Sequence, residues 1–125
     1  MIQPAAGVHI ILPDFYSPKN MGLIIPRTKD GRVIFMLPWQ NHTIAGTTDS
    51  SSEVTTLPKP SDNEVNFILE SISANLAIPV RKEDLQAAWS GLRPLARDPH
   101  ATDTASVSRD HTVAVGSGGM VTIAG

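Results

Sequence analysis

The sequence of residues 29–37 is Lys29-Asp30-Gly31-Arg32-Val33-Ile34-Phe35-Met36-Leu37, and it indicates one half of a β-hairpin. Its Asp-Gly pair is a turn signal, and the apolar run after it has the composition of a strand. A second apolar run, residues 21–25, precedes the turn and stops at Pro26, so we expect the two runs to pair. Residues 42–48 follow a turn at 38–41, which predicts an antiparallel meander of three strands.

Further strands are predicted on both sides of this meander. The apolar run 7–12 stops at a Pro-Asp pair, and residues 85–95 suit a long strand broken near Gly91 and Pro94. Val107 is a strand candidate, and residues 112–115 and 120–124 form a pair joined by a glycine-rich turn at 116–119. The chain therefore contains about six or seven strands.

One helix is predicted, over about residues 61–77. Ser61 and Glu64 have the spacing of a capping box. Apolar residues then recur at helical spacing: Val65, Ile68, Leu69, Ile72 and Leu76. Residues 50–60 are expected to be a loop and residues 81–84 a short helical turn. The fold class is α+β, with a mostly antiparallel (mixed) sheet of about six strands and the main helix packed on one face.

Length and charge exclude several classes of function. The chain has 125 residues, 41% of them hydrophobic, and a formal net charge of -2. This length predicts one domain, and the charge makes nucleic acid an unexpected partner. There is no cysteine, and the four histidines lack metal-ligand spacing, so no metal is expected. The apolar runs fall far short of the ~20 residues that span a bilayer, and a soluble domain is expected.

His9 and the glycine-rich turn at 116–119 each allow a structural and a functional interpretation. The turn lies between two strands, whereas a phosphate-binding turn opens a helix, so a hairpin turn is the better interpretation. His9 interrupts an apolar strand. A histidine in that position is more often a hydrogen-bonded core residue, but it is a candidate proton acceptor if a cleft opens above it.

Arg93 and Arg109 are candidate anion ligands. Arg93 lies in a Gly/Pro-bearing segment, Ser90-Gly91-Leu92-Arg93-Pro94-Leu95, which suggests a guanidinium placed for bidentate contact with a carboxylate or phosphate. A structural salt bridge, with Asp98 or Asp110 as the partner, is an equally good interpretation. Thr47 and Thr48 are candidate hydroxyl donors to a ligand, or they cap the end of a strand.

Several motifs, taken in order, make the sequence recognisable. They are Gly7-Val8-His9-Ile10, Gly31-Arg32-Val33-Ile34-Phe35, Leu37-Pro38-Trp39, Thr43-Ile44-Ala45-Gly46-Thr47-Thr48-Asp49, Ala88-Trp89-Ser90-Gly91-Leu92-Arg93-Pro94-Leu95, Ser108-Arg109-Asp110-His111 and Thr122-Ile123-Ala124-Gly125. The series closely resembles the FAD-dependent glycerol-3-phosphate dehydrogenases, especially the mitochondrial ones, and it extends over nearly the whole chain.

The resemblance also implies which parts of the family are not in this sequence. The Gly-x-Gly-x-x-Gly nucleotide-binding unit has no match, and the family's Gly-Gly-Lys segment is represented only by Gly125, a weak cofactor contact. We therefore expect residues 1–125 to be a substrate-binding (cap) domain, with the FAD-binding Rossmann-type domain absent. By itself this chain is expected neither to retain FAD nor to turn over substrate.

We call the longer enzyme of which this domain would be a part the parent protein. For the parent protein, the resemblance implies oxidation of sn-glycerol 3-phosphate to dihydroxyacetone phosphate, with electrons passed through FAD to ubiquinone at the mitochondrial inner membrane. Any membrane association would come through the parent. His9 is implied as a candidate general base or a partner of the substrate hydroxyl, Arg93 as a catalytic and substrate contact, and Arg109 as a phosphate ligand, with Thr47 and Thr48 lining the site. The alternatives are an oxidase that uses oxygen and a non-catalytic module that binds a phosphate ligand or a protein.

Overall fold

A computed structural model describes residues 2–96 and 111–124. Its nine helices and strands are β1 (Ile2–Pro13), β2 (Leu23–Ile25), β3 (Ile34–Trp39), β4 (His42–Gly46), β5 (Ser50–Ser51), α1 (Asp62–Ser73), β6 (Ala87–Ala96), β7 (Thr112–Val115) and β8 (Val121–Ala124). Short 3₁₀ turns cover Asp14–Tyr16 and Lys82–Asp84, the second of which was expected.

β1 is the central strand of a six-stranded antiparallel sheet. The strand order is β2-β3-β4-β1-β5, and β6 pairs with β1 along the opposite edge of that strand. β4 pairs with β1 over residues 9–13, whereas β5 pairs only with residues 5 and 6. The predicted meander of β2, β3 and β4 is confirmed, including the hairpin in which Leu23 lies opposite Met36. β7 and β8 form a separate two-stranded sheet, as predicted.

The hydrophobic core lies between α1 and one face of the sheet. Because side chains alternate along a strand, the even-numbered residues of β1 (Val8, Ile10 and Leu12) point to the helix and are fully buried. Val65, Ile68, Leu69 and Ile72 form the buried stripe of α1. The α+β class, the approximate strand number and the helix on one face are therefore confirmed. The odd-numbered residues of β1, which include His9, face away from the helix.

The helix begins as predicted but ends earlier. Ser61 is the N-cap, and the capping box with Glu64 is present. The helix ends at Ser73, not near residue 77, because the amides of Asn75 and Leu76 bond the carbonyls three residues earlier in a tighter turn. Leu76 still packs against the core as a partly buried residue.

β6 differs from the prediction, because it is continuous through Gly91 and Pro94. Its pairing with β1 is unbroken from Ala87 to Ala96, and Pro94 lies opposite Pro4. An edge strand tolerates proline because one side of its backbone needs no ladder partner. This long pairing also explains why β1 begins at Ile2, five residues before the predicted start. The two-residue strand β5 lies in a segment that was predicted to be a loop.

Candidate functional site

His9 lies on the open face of the sheet, opposite one glycine and one tryptophan. Its cross-strand neighbours are Gly46 on β4 and Trp89 on β6. A Cβ built on Gly46 would come within 2.5 Å of His9 Cδ2, so the imidazole lies directly over the bare backbone of that residue. On the other side the Trp89 ring stacks on the imidazole, with 5.5 Å between ring centroids and 16° between planes. These two neighbours restrict the orientation of the imidazole.

The surroundings of His9 favour the uncharged imidazole. Partial burial lowers the pKa of His9 below its ordinary value, and the positive charge of Arg93 lowers it further. Both effects penalise the imidazolium ion. Near pH 7 this ring is therefore a proton acceptor with an available lone pair.

Arg93 reaches across β1 to the segment after β4. Its Cα lies opposite Ala5, yet the guanidinium lies over Gly7, where a built Cβ would come within 2.5 Å of both terminal nitrogens. Nη1 donates to the carbonyl oxygen of Thr48 at 3.3 Å, and Nη2 donates to the hydroxyl of Thr47 at 3.0 Å. A guanidinium has five N–H donors, so a fork anchored in this way retains the capacity to hold an anion.

Thr47 and Thr48 provide the two hydrogen-bond acceptors of Arg93 and are themselves held by further hydrogen bonds. The Thr47 hydroxyl donates to the Thr48 carbonyl oxygen at 3.0 Å. Thr48 is only 1% exposed. Its hydroxyl accepts from the backbone N–H of Val8 at 3.0 Å and donates to Glu64 Oε1 at 3.1 Å. β1 pairs with β4 from residue 9 onward and with β5 at residues 5 and 6. The amide of Val8 lies between these two paired parts, and the Thr48 hydroxyl provides its acceptor.

The arrangement places a guanidinium and an uncharged imidazole on one surface. Arg93 supplies positive charge in a fixed orientation, and the imidazole of His9 lies within its electrostatic range. A ligand that carries an anionic group and an ionisable hydroxyl matches this pair. A polar concavity of about 640 Å³ lies near Trp39 and His42, at the far end of β4, and none of the four site residues in the described part of the chain lines it. The candidate site is therefore an open sheet face.

The structure brings together four of the residues that the sequence singled out: His9, Thr47, Thr48 and Arg93. Arg109 and Gly125 lie outside the described residues, as does the strand candidate Val107. No atom of the described residues lies within 4 Å of a Cβ built on Gly91, whereas the Arg93 side chain closely approaches Gly7.

Sequence reasoning missed the structural partners of these residues. Trp89 and Gly46 orient His9. Gly7 leaves the space that the Arg93 guanidinium occupies, because it has no side chain. Glu64 was recognised only as a capping residue, although it also accepts a hydrogen bond from Thr48. The glycines were visible in the sequence, but only the strand register shows which side chain lies over each of them.

Within residues 2–96 and 111–124, no group of three or more His, Cys, Asp or Glu side chains is arranged to hold a metal ion. In the same part of the chain, no helix has the length and hydropathy needed to cross a membrane.

Comparison with known proteins identifies the class. The profile of the family described as DAO, FAD dependent oxidoreductase, matches residues 1–125, and the chain belongs to this family. It is 59% identical to the mitochondrial glycerol-3-phosphate dehydrogenase SDP6 of Arabidopsis thaliana, over 100% of this chain and 20% of that protein. Identity to the mitochondrial glycerol-3-phosphate dehydrogenase of Homo sapiens is 54%, over 98% of this chain and 17% of that protein. The chain thus spans about a fifth of the length of these relatives.

A solved structure agrees with this assignment. The glycerol-3-phosphate dehydrogenase from Bacillus halodurans, crystallised in complex with FAD, superposes with a TM-score of 0.66 at 26% sequence identity. The match covers 75% of this chain and 19% of that protein. The sequence resemblance to glycerol-3-phosphate dehydrogenases therefore extends to the fold.

Proposed function

We propose that residues 1–125 form the substrate-binding (cap) part of an FAD-dependent glycerol-3-phosphate dehydrogenase. The parent enzyme oxidises sn-glycerol 3-phosphate to dihydroxyacetone phosphate and passes the electrons to ubiquinone at the mitochondrial inner membrane. The observation that carries the proposal is the pairing of Arg93, anchored over Gly7, with an uncharged His9 on the same open face. The 59% identity to a mitochondrial enzyme of this name supports the choice of substrate.

In this proposal His9 and Arg93 have distinct roles. His9 accepts the proton of the substrate's C2 hydroxyl, a task that requires the uncharged imidazole. Arg93 binds the substrate and stabilises negative charge beside the reacting carbon, which a fixed guanidinium does without reorganisation. Thr47 and Thr48 fix the guanidinium. Arg109 is proposed as a phosphate ligand on the strength of the sequence resemblance.

The described residues fit a flavin that lies against the sheet. The open face carries half-exposed apolar side chains next to His9, and the space above Gly91 is open. Such a surface suits a planar aromatic ring, whereas the sequence holds no Gly-x-Gly-x-x-Gly unit for the nucleotide part. Trp89 and Gly91 are the residues proposed to face the ring, and Gly125 is proposed to begin the segment that approaches it. When bound, FAD supplies the acceptor for the hydride of C2.

The test uses the full-length enzyme that contains this chain. The wild type should reduce a ubiquinone analogue when glycerol 3-phosphate is added. His9→Gln should lower kcat by about 10²- to 10⁴-fold, the usual contribution of a general base. Arg93→Met should lower kcat/KM. Quinone reduction unaffected by either substitution would contradict the proposal, and stoichiometric hydrogen peroxide with no quinone reduction would identify an oxidase instead.

A further inference from the structure

Glu64 connects the start of α1 to the segment that anchors Arg93. Its two carboxylate oxygens accept hydrogen bonds from different residues. Oε2 accepts hydrogen bonds from the backbone N–H and the hydroxyl of Ser61, at 3.1 and 2.7 Å, which closes the capping box. Oε1 accepts from the hydroxyl of Thr48 at 3.1 Å. The side chain therefore does more than cap its own helix.

Thr48 passes this contact on to Arg93. The Thr48 hydroxyl is held between Glu64 and the backbone N–H of Val8, and the Thr48 carbonyl oxygen accepts from the guanidinium. That carbonyl also accepts from the Thr47 hydroxyl, which itself accepts from the second guanidinium nitrogen. Both acceptors used by Arg93 thus belong to one dipeptide, and the side chain of Thr48 fixes that dipeptide from within the protein.

Residues 47–49 have no strand ladder of their own, since β4 ends at Gly46 and β5 begins at Ser50. Side-chain bonds therefore have a large share in setting their position. We propose that Glu64 is a positioning residue that orients the Arg93 guanidinium for an anionic substrate by acting through Thr48. This inference rests on the proposed function, because it requires Arg93 to bind the substrate.

Steady-state kinetics of the full-length enzyme with glycerol 3-phosphate test the proposal. Glu64→Ala and Thr48→Val should each raise KM about tenfold, since small displacements of a binding group have large effects. Thr48→Ser keeps the hydroxyl and should restore KM to near the wild-type value. The matched control is Ser61→Ala, which removes the N-cap side chain but leaves the bond between Glu64 and Thr48. It should lower the melting temperature without changing KM.

A double-mutant cycle separates positioning from stability. In the Arg93→Met enzyme, adding Glu64→Ala should change KM by less than twofold, because the residue it acts through is gone. The inference is overturned if Glu64→Ala leaves KM unchanged, if Ser61→Ala raises KM equally, or if the two effects simply multiply. If Arg93→Met itself leaves KM unchanged, the proposed function fails instead. The Thr48 pair provides the same comparison should Glu64→Ala prove too unstable to purify.

Discussion

The path of Arg93 depends on the absence of a side chain at Gly7. Any Cβ at this position would overlap both terminal guanidinium nitrogens, at 2.5 Å. Gly7→Ala should therefore displace the guanidinium and break its bonds to Thr47 and Thr48, at a cost of roughly 1–3 kcal/mol in the free energy of unfolding. Urea unfolding of the 125-residue chain measures this change.

Gly91 provides the matched control, since it lies directly opposite Gly7 on β6 and no atom of the described residues lies within 4 Å of a Cβ built on it. Gly91→Ala should leave stability unchanged or slightly raised, because alanine has less backbone freedom to lose on folding. Equal losses in the two variants would show that the contact between Gly7 and Arg93 has no special weight.

The low pKa of His9 has a consequence for stability against pH. The unfolded chain takes up a proton on this residue near the ordinary pKa of about 6.5, whereas the folded chain does so only at lower pH. Acid therefore favours the unfolded chain. The free energy of unfolding should fall as the pH drops below about 6.5, until folded His9 is also protonated. His9→Gln should remove this component from urea unfolding measured between pH 5 and pH 7.

The pKa of His9 also tests its electrostatic contact with Arg93. Arg93→Gln removes the nearby positive charge, so the pKa of His9 should rise in an NMR titration. It should not return fully to its ordinary value, because burial is the larger cause and remains. An unchanged His9 pKa in this variant would contradict the electrostatic contact between the two side chains.

At the level of the elements, α1 contributes mainly through its buried stripe. Ile68 is fully buried against the sheet, so Ile68→Ala should cost about 2–5 kcal/mol in the free energy of unfolding. Glu70→Ala, on the exposed side of the same helix, should change stability by no more than about 0.5 kcal/mol. Urea denaturation of both variants measures the difference. A small loss for Ile68→Ala would mean that the helix is not essential to this core.

The elements that the sequence predicted well are those with local signals. α1 has its capping box and its apolar spacing, and the Asp30-Gly31 turn defines the hairpin of β2 and β3. The continuity of β6 could not be inferred in this way. Pro94 suggests a break, and only the position of β6 at the edge of the sheet, opposite Pro4, makes that residue compatible with pairing.

In the candidate site, too, the sequence predicted what has a local signal and missed what depends on contacts between distant residues. His9 and Arg93 stood out by residue type, because a histidine in an apolar strand and an arginine two residues after a glycine and directly before a proline are unusual. Their partners did not, because Trp89, Gly46 and Glu64 come close only through strand pairing and helix packing. These contacts join residues that are distant in sequence, so no local sequence pattern predicts them.

On the scale of the whole molecule, the candidate site is an open sheet face with partly exposed apolar side chains. Phe35, Leu37 and Trp89 lie on the same face as His9 and remain 43%, 45% and 39% exposed. Small-molecule sites usually bury about 70–90% of their ligand, which an open sheet face does not achieve. The chain matches about a fifth of the length of its relatives, and we expect part of the remaining polypeptide of such a protein to cover this face.

The 125-residue chain purified alone should therefore carry no flavin absorbance and should not reduce a dye when glycerol 3-phosphate is added. The full-length protein, purified in the same way, is the control and should be yellow and active. The physical reason is that, in the proposed function, Arg93 and His9 would contact a ligand from one side only, so binding would lose most of its buried area while its entropic cost remained. Flavin that co-purifies with the short chain, together with substrate-dependent dye reduction, would show that this sheet completes a site without further covering.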